Sequence, residues 1–573
     1  MDKRELVGIL DEMADLMEVE SDNPFRSRSF RSASRALDAY PGDLGAGVRS
    51  GEVQSLKGIG AKIASVIEEI AETGASERHR ELLETVPEGV RAMLGIPGLG
   101  PKKVRALWKK AEIETIPALV AACEEGRVAS LSGFGAKSQE KIIEGIEYLE
   151  SVAGRYLFPE AEALSLAIVE HLKDCPAVQG VEAAGSLRRR KELIGDLDFL
   201  VSSDDPGVVS DHFLKFEAVA SVVVHGSTKT SVRLETGIAA DLRVVNETQF
   251  PFALAYFTGS KEHNTQMRQR AKDRGLRLNE YGLHGPEEGD SVDCDSESAI
   301  YEALDLHYVE PELREGFGEI QLSESNDLPV LLEESQIRGV LHAHSTWSDG
   351  RASIQDMAEA CRAAGYSYLG ITDHSKTAAY AGGLTIERVE KQHAEIDELN
   401  AGWDDFRIFK GIESDILPNG DLDYPEEVLA QFDFIVASLH SSLTQPVQEM
   451  TDRVVRALEN PHTTMLGHAT ARVLLRREEV ALDMDRVLER AAELGVVVEI
   501  NANPHRLDLD WRHGPRAREL GVLTSINPDA HSVAGIRDIR YGVGIARKAG
   551  FAAGQVVNTF DIETFAKFIQ RRK

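Results

Sequence analysis

The stretch Gly185-Ser186-Leu187-Arg188-Arg189-Arg190-Lys191-Glu192-Leu193-Ile194-Gly195-Asp196-Leu197-Asp198 places a glycine-serine turn and a basic cluster directly before two aspartates spaced i, i+2. The run Asp196-Leu197-Asp198-Phe199-Leu200-Val201 reads as a strand. Strand alternation puts both carboxylates on one face and Leu197 on the other. Two carboxylates side by side repel unless a cation sits between them. Oxygen-only ligands favour Mg²⁺, which keeps waters and binds phosphate as well. The plain alternative is a strand ending in solvated acids, but the glycine-serine turn and the arginines that accompany the pair argue for the cation.

Working outward, 573 residues predict three to five domains. A hydrophobic fraction of 42% is ordinary for globular protein. No apolar run reaches the ~18 residues of a membrane span. The opening Met1-Asp2-Lys3-Arg4-Glu5 lacks the apolar core of a signal peptide. Cys123, Cys175, Cys294 and Cys361 are far apart, form no CxxC pair and read as reduced thiols of a cytosolic protein. The net charge of -31 argues against a nucleic-acid partner until its distribution is read. Residues 287–334 hold 16 acids against one base, Arg314, so that nearly half the excess sits in one short stretch. Local basic clusters are therefore the better guide.

Three glycine pairs punctuate the first 150 residues: Gly58-Ile59-Gly60, Gly98-Leu99-Gly100 and Gly133-Phe134-Gly135. Each opens a helical pattern with a lysine in its first turn: Lys62, Lys102 with Lys103, and Lys137. Glycines let backbone approach a phosphate, and a helix N-terminus offers free N–H groups. A lysine there is poorly placed for the helix dipole unless an anion binds. One such turn could be a plain helical connection, whereas three with the same layout favour phosphate. They resemble helix-hairpin-helix motifs, which hold DNA backbone without reading sequence.

From about 151 to 258 strands and helices alternate, with strand-like runs at Asp196–Ser202, Val222–His225 and Ile238–Val245. A two-metal phosphoryl-transfer site needs a third carboxylate from a neighbouring strand. Asp241, in Ala239-Ala240-Asp241-Leu242-Arg243-Val244-Val245, is the candidate. One metal would activate an attacking 3′-hydroxyl and the other would hold a triphosphate, with Ser186 and Arg189 on its phosphates.

At these residues the first half of the chain resembles the family X DNA polymerases, the gap-filling repair class. Ser186, Arg189, Gly195, Asp196, Asp198 and Asp241 match motif positions of that family. So does Tyr256-Phe257-Thr258-Gly259-Ser260-Lys261-Glu262-His263-Asn264, followed by Arg268, and Gly275–Leu283 completes the pattern. The resemblance implies that Asp196, Asp198 and Asp241 are the catalytic metal ligands. It implies that Tyr256 and Phe257 pack by the sugar, with Tyr256 excluding a 2′-hydroxyl. Gly259 belongs to the same nucleotide pocket, Asn264 would touch the incoming base and Arg268 the template. The run Arg268, Arg270, Lys272, Arg274 and Arg277 reads alternatively as a solvated helical face. Two departures stand out. Val66 occupies the position of a Schiff-base lysine in animal relatives, so sugar-phosphate lyase chemistry is not expected. Ala239 replaces an arginine beside the third aspartate, and Arg243 is the expected substitute.

After about 337 seven strand-like runs lead into potential ligands. They precede His342-Ala343-His344 (with Asp349 shortly after), Thr372-Asp373-His374, Glu413, His440, His468, Asn501-Ala502-Asn503 and Asp529-Ala530-His531. Strands separated by helices imply a parallel barrel, whose strand C-terminal ends form the active face. Six histidines and three carboxylates would converge there, a set suited to Mn²⁺, Zn²⁺ or Fe²⁺. These residues resemble the PHP domain (polymerase and histidinol phosphatase), a distorted seven-stranded barrel with a trinuclear metal centre. By that resemblance His342, His344, Glu413 and Asp529 would bind the first metal, and Asp349, His374 and His531 the second. Glu413, bridging, with His440 and His468 would bind the third. All nine ligand types are present, which implies a working hydrolase. Arg472 and Arg506, on the loops after the fifth and sixth strands, are candidates to grip phosphate.

The expectation is a multidomain chain. α-Helical DNA-binding domains would occupy 1–85 and 86–150, and an α/β nucleotidyltransferase palm 151–258. A thumb at 259–317, a linker at 318–336 and a distorted (β/α)7 PHP barrel at 337–573 would follow. The expected function is short-gap filling in DNA repair, including base excision repair. It would use Mg²⁺ (or Mn²⁺) and dNTPs, joined to a Mn²⁺- or Zn²⁺-dependent 3′→5′ exonuclease or abasic-site cleavage. Expected partners are gapped or nicked double-stranded DNA and no membrane, for a monomeric cytoplasmic protein. The alternatives are an end-binding phosphoesterase with a vestigial polymerase, and a nucleotidyltransferase acting on RNA or a small molecule, against which the hairpins and the Tyr256–Asn264 motif argue.

Overall fold

A computed structural model describes residues 3–570 apart from 22, 23, 39, 41–43, 286, 288 and 289. Glu288 of the acidic stretch thus lies outside the described residues. The chain divides into two compact units, Met1–Ala153 and, apart from residues 475–478, the remainder from Gly154 onward.

The first unit is helical. Its longer helices bury one apolar stripe each: Leu6, Leu10, Met13 and Met17 on Lys3–Glu20, and Ile63, Ile67 and Ile70 on Ala61–Thr73. These side chains join one continuous core that runs to Ile146. The three glycine pairs are hairpin turns. Gly58, Gly98 and Gly133 have φ of 104°, 80° and 90°, where a side chain is strained. Gly60, Gly100 and Gly135 cap the helices Ala61–Thr73, Pro101–Ala111 and Ala136–Ser151. Ile59 and Leu99, between the glycines, are buried and pin their turns to the core.

The second unit begins with a five-stranded mixed sheet. Its spatial order is Gly180–Ala183, Asp196–Ser202, Ala239–Val245, Lys229–Leu234 and Val219–His225. The central pair, Asp196–Ser202 and Ala239–Val245, is parallel. Leu197, Phe199 and Val201 are buried on one face of Asp196–Ser202, and beyond Asp198 the other face is buried too, at Leu200 and Ser202. The helices Phe250–Thr258 and Lys261–Asp273 follow, then a small antiparallel sheet of Arg277–Asn279, Gly282–His284 and Ser291–Val292. Met267, Leu283, Ile300 and Tyr301 form the core of this region. Ile320 joins that core from the helix Glu319–Ser325, which occupies the first half of the expected linker. A buried apolar position, invisible in a mostly acidic segment, orders it.

Seven parallel strands follow in chain order: Gly339–Val340, Tyr368–Ile371, Arg407–Asp415, Phe434–Ser438, Met465–Leu466, Val497–Asn501 and Thr524–Asn527. A parallel bridge between Ala343 and Ala530 brings the first and last strands together, so the barrel is nearly closed. Strand N-terminal ends are plugged by the helix Ile562–Gln570. Its Phe565 stacks on Tyr368 at 5.3 Å and meets Phe409 and Phe434 edge-on. The opposite end is left for chemistry.

Candidate active sites

On the mixed sheet the parallel register pairs Asp198 with Asp241 and Asp196 with Ala239, which gathers the three aspartates at one edge. Gly185 packs against them at φ 62°, and a Cβ there would lie 2.2 Å from Asp198 Oδ2. Only glycine fits. Burial, then repulsion from Asp196 and Asp241, pushes the Asp198 carboxyl up to about 7 despite Arg189 and Arg243. A carboxylate held so unfavourably is one that a cation relieves. Lys229 Nζ stands 3.0 Å from Asp241 Oδ2. Arg243 instead lies over the Phe257 ring at 4.9 Å. The orienting contact expected from Arg243 is therefore made by Lys229, which the antiparallel register sets directly opposite Arg243.

A cavity of about 420 Å³ opens over the aspartates, lined by Ser186, Arg189, Lys191, Tyr256, Phe257, Gly259, Asn264 and Arg268. Gly195 lies against Arg155, which lines the same cavity. Arg189 donates to the Thr258 carbonyl and through Nε to Glu315 at 3.0 Å. Asn264 donates to the Tyr256 carbonyl at 2.7 Å, and the Tyr256 and Phe257 rings meet edge to face. Neighbouring Arg188 is spent elsewhere, on Glu297 at 2.5 Å and Thr258.

In the helical unit Lys62, Lys102 and Lys137 are exposed at their helix starts. Lys103 turns back to the Gly98 carbonyl at 3.2 Å. Lys62 and Val66 border a cavity of about 730 Å³ with Arg26 and Arg78.

At the strand C-terminal ends of the barrel all nine expected ligands meet. Three groups of donor atoms lie close enough to hold an ion: His344, Asp349, His374 and His531; His342, His344 and Asp529; and His374, Glu413 and His440. His468 Nε2 is 2.9 Å from Glu413 Oε1. The grouping differs from the expected one in that His344 and His374 each serve two groups. Buried His342 Nε2 and His344 Nδ1 have no hydrogen-bond partner, while His344 Nε2 and His374 Nδ1 face Asp529 at 3.1 Å and Glu413 at 2.9 Å. Orphaned imidazole lone pairs facing three carboxylates fit divalent cations better than any protein partner. Burial, with His531 and His374 beside it, drives His344 down to about 4 and keeps it neutral. At His440 burial acts the same way, but Glu413 and Asp415 outweigh it and hold the ring at about 10. Asp349 and His531 are the partly exposed members and mark the mouth.

Two unforeseen acids brace this centre. Glu499 accepts hydrogen bonds from His342 Nδ1–H at 2.7 Å and from the His468 backbone N–H at 2.7 Å. Asp415 accepts a hydrogen bond from His440 Nδ1–H at 2.6 Å. Each fixes a ring with Nε2 turned toward Glu413. Arg506 stands at the site wall, 3.8 Å from Asp529. Arg472 does not fill the expected phosphate role. It is buried, paired with Asp510 and donating to the Arg506 and Leu507 carbonyls, where it braces the loop.

Comparison with known proteins gives a relative that matches over the whole of both chains. The chain is 40% identical over 573 residues, all of both chains, to the "DNA polymerase/3'-5' exonuclease PolX" of Bacillus subtilis (strain 168). The chain belongs to the PolX family. Family models match this PolX-family chain as helix-hairpin-helix domain at 1–76 and SAM-like helix-hairpin-helix tandem at 90–147. Others match as DNA polymerase beta thumb at 253–315 and PHP domain at 341–503. Similarity also extends to a probable phosphatase of Acetivibrio thermocellus, 33% identical over 28% of this chain and 60% of that one. A probable phosphatase of Thermoanaerobacter sp. (strain X514) is 26% identical over 40% of this chain and 94% of its own length. No helix among the described residues is long and apolar enough to cross a membrane.

The residues that sequence reasoning passed over are Lys229, Glu499 and Asp415. Glu499, an acid inside the apolar run Val496–Ile500, and Asp415, two residues beyond Glu413 on its strand face, carried a readable signal. Lys229 did not, because its contact depends on cross-strand register.

Proposed function

We propose that this chain extends a DNA 3′ end with deoxynucleotides at Asp196, Asp198 and Asp241, and removes nucleotides 3′→5′ at the barrel centre. One observation carries the reading: two donor sets of opposite chemistry in one chain. The first is all carboxylate beside a cationic cleft, the second six histidines with three carboxylates. Bound divalent cations supply Lewis-acid stabilisation of phosphate charge and ease deprotonation of the attacking group. The oxygen-only set suits Mg²⁺, and the imidazole-rich set Mn²⁺ or Zn²⁺.

In the cleft, Ser186 and Arg189 grip the triphosphate. Tyr256 and Phe257 flank the sugar, Asn264 turns from the Tyr256 carbonyl to the base, and Arg268 meets the template. Lys229 steadies Asp241. In the barrel, Glu499 and Asp415 keep the Nδ1 protons of His342 and His440 in place, and Arg506 reaches a phosphate at the mouth. The hairpins, through backbone N–H groups and Lys62, Lys102 and Lys137, hold gapped or nicked duplex by its backbone. That combination supports short-gap repair synthesis with 3′-end cleaning, and cleavage at abasic sites would use the same barrel chemistry.

A one-nucleotide gapped duplex with dNTPs and Mg²⁺ or Mn²⁺ tests the reading. Asp198→Asn abolishes insertion and spares 3′ degradation, and His344→Ala does the reverse. Loss of both activities in folded Asp198→Asn protein would sink the two-site assignment. A wild type that degrades 3′ ends but inserts nothing would leave the vestigial-polymerase alternative.

A further inference from the structure

The loop that carries Arg189 is held from behind by the barrel. Lys548, the last residue of the helix Ile539–Lys548, has a fully buried side chain. Its Nζ lies 3.0 Å from the Arg189 carbonyl, 3.3 Å from the Glu312 carbonyl and 2.5 Å from Glu315 Oε1, over the face of Trp511. The same Oε1 accepts Arg189 Nε at 3.0 Å, and Oε2 lies 3.6 Å from Lys191 Nζ. Three residues after Arg189, Glu192 accepts from Trp511 Nε1 at 3.0 Å and from Arg512 at 2.9 Å. One carboxylate, Glu315, is thus shared by a barrel lysine and two cations of the nucleotide cleft.

We propose that Lys548 of the barrel is a positioning residue of the nucleotide site, sharing Glu315 with Arg189 so that the guanidinium stays available to an incoming triphosphate. The proposal rests on reading Arg189 as a phosphate contact. A buried carboxylate seeks full compensation, and charge pairs out of water interact far more strongly than exposed ones. With Lys548 present, Glu315 is compensated from the barrel side, and the cluster of three cations and one acid keeps a net positive field. Without it, the same carboxylate closes on Arg189 and Lys191, and the field that meets the triphosphate falls by one charge. The barrel would then serve the polymerase site directly while keeping its own chemistry apart.

Steady-state insertion on the gapped duplex, with 3′ degradation measured in parallel, tests this in the full chain. Lys548→Met raises the KM for dNTP on the order of tenfold with little change in kcat, the pattern of lost substrate binding. Lys548→Gln, which keeps a donor for the two carbonyls, moves KM in the same direction. Adding Glu315→Gln to Lys548→Met brings KM back toward wild type, because no unbalanced carboxylate remains. Degradation is unchanged throughout. A merely structural lysine would give a double variant at least as impaired as the single, with degradation lowered too, and that result overturns the proposal. So does an unchanged KM in both single variants. Arg189→Ala separates the two layers. If it leaves KM unchanged, the phosphate assignment itself fails; if it raises KM while the Lys548 variants do not, only the role of Lys548 fails.

Discussion

Glu297 shows how much one buried carboxylate settles. It accepts from Arg314 at 2.6 Å and Arg188 at 2.5 Å, and Arg314 is wholly buried. Burial opposes its charge, but the two guanidinia outweigh burial and bring the carboxyl from 4.5 down to about 2. A group with a depressed folded value stabilises the fold above its unfolded value and loses that contribution as pH falls from about 4.5 toward 2. The shift corresponds to on the order of 3 kcal/mol. Glu297→Gln strands Arg314 and costs about 3–5 kcal/mol near neutrality. Scanning calorimetry should show the gap in melting temperature between variant and wild type narrowing as pH falls from 6 to 3; a constant gap would exclude the pairing as its origin. The sequence revealed little of this. Asp196 and Asp198 were legible because strand alternation is local, and Asp241 because its strand-like run matched the family motif. Glu297 with Arg188, and Lys229 with Asp241, were not, since those pairs form across elements.

Among the elements, the glycine hairpins were legible to the residue, because positive φ and a helix start leave a sequence mark. Their function can be separated from their folding. A Cβ at Gly100 meets nothing within 4 Å, and φ there is -76°, so Gly100→Ala leaves the melting temperature unchanged. If backbone N–H groups meet a phosphate at that turn, the added methyl weakens DNA binding severalfold. At Gly98 the space is equally open but φ is 80°, so Gly98→Ala costs about 1 kcal/mol through the backbone alone. Lys102→Ala lowers the slope of log affinity against log salt by roughly 0.9, the share of one phosphate contact. Filter binding at several salt concentrations measures both effects, and a slope equal to that of wild type would remove Lys102 from the interface. The barrel strands were equally readable, as apolar runs ending in ligands. The helix Glu319–Ser325 was not, because one buried isoleucine in an acidic segment gives no periodic signal.

At the scale of the whole molecule, several acids of the stretch 287–334 serve as counter-charge for distant bases. Glu297 pairs with Arg188 and Arg314, Glu312 and Glu333 with Arg547, Glu315 with Arg189 and Lys548, and Glu324 with Arg270. Most of these partners lie more than a hundred residues away, beyond any local pattern. At the barrel centre Asp349, Glu413 and Asp529 converge among six imidazoles, with Arg506 at the wall. An imidazole ligates a divalent ion only in its neutral form, and the ion then supplies the charge that faces these acids, so divalent ions bound there should stabilise the folded chain by mass action, about 2.7 kcal/mol at a hundredfold excess over Kd. Chelated protein titrated with Mn²⁺ should therefore rise in melting temperature. Asp198→Asn should keep most of that rise, because the barrel ligands are untouched, whereas Glu413→Gln, which removes the charge that faces five of the histidines, should lose it. If Asp198→Asn lost the rise and Glu413→Gln kept it, the stabilising ions would sit on the mixed sheet, and the orphaned imidazoles of His342 and His344 would need another explanation.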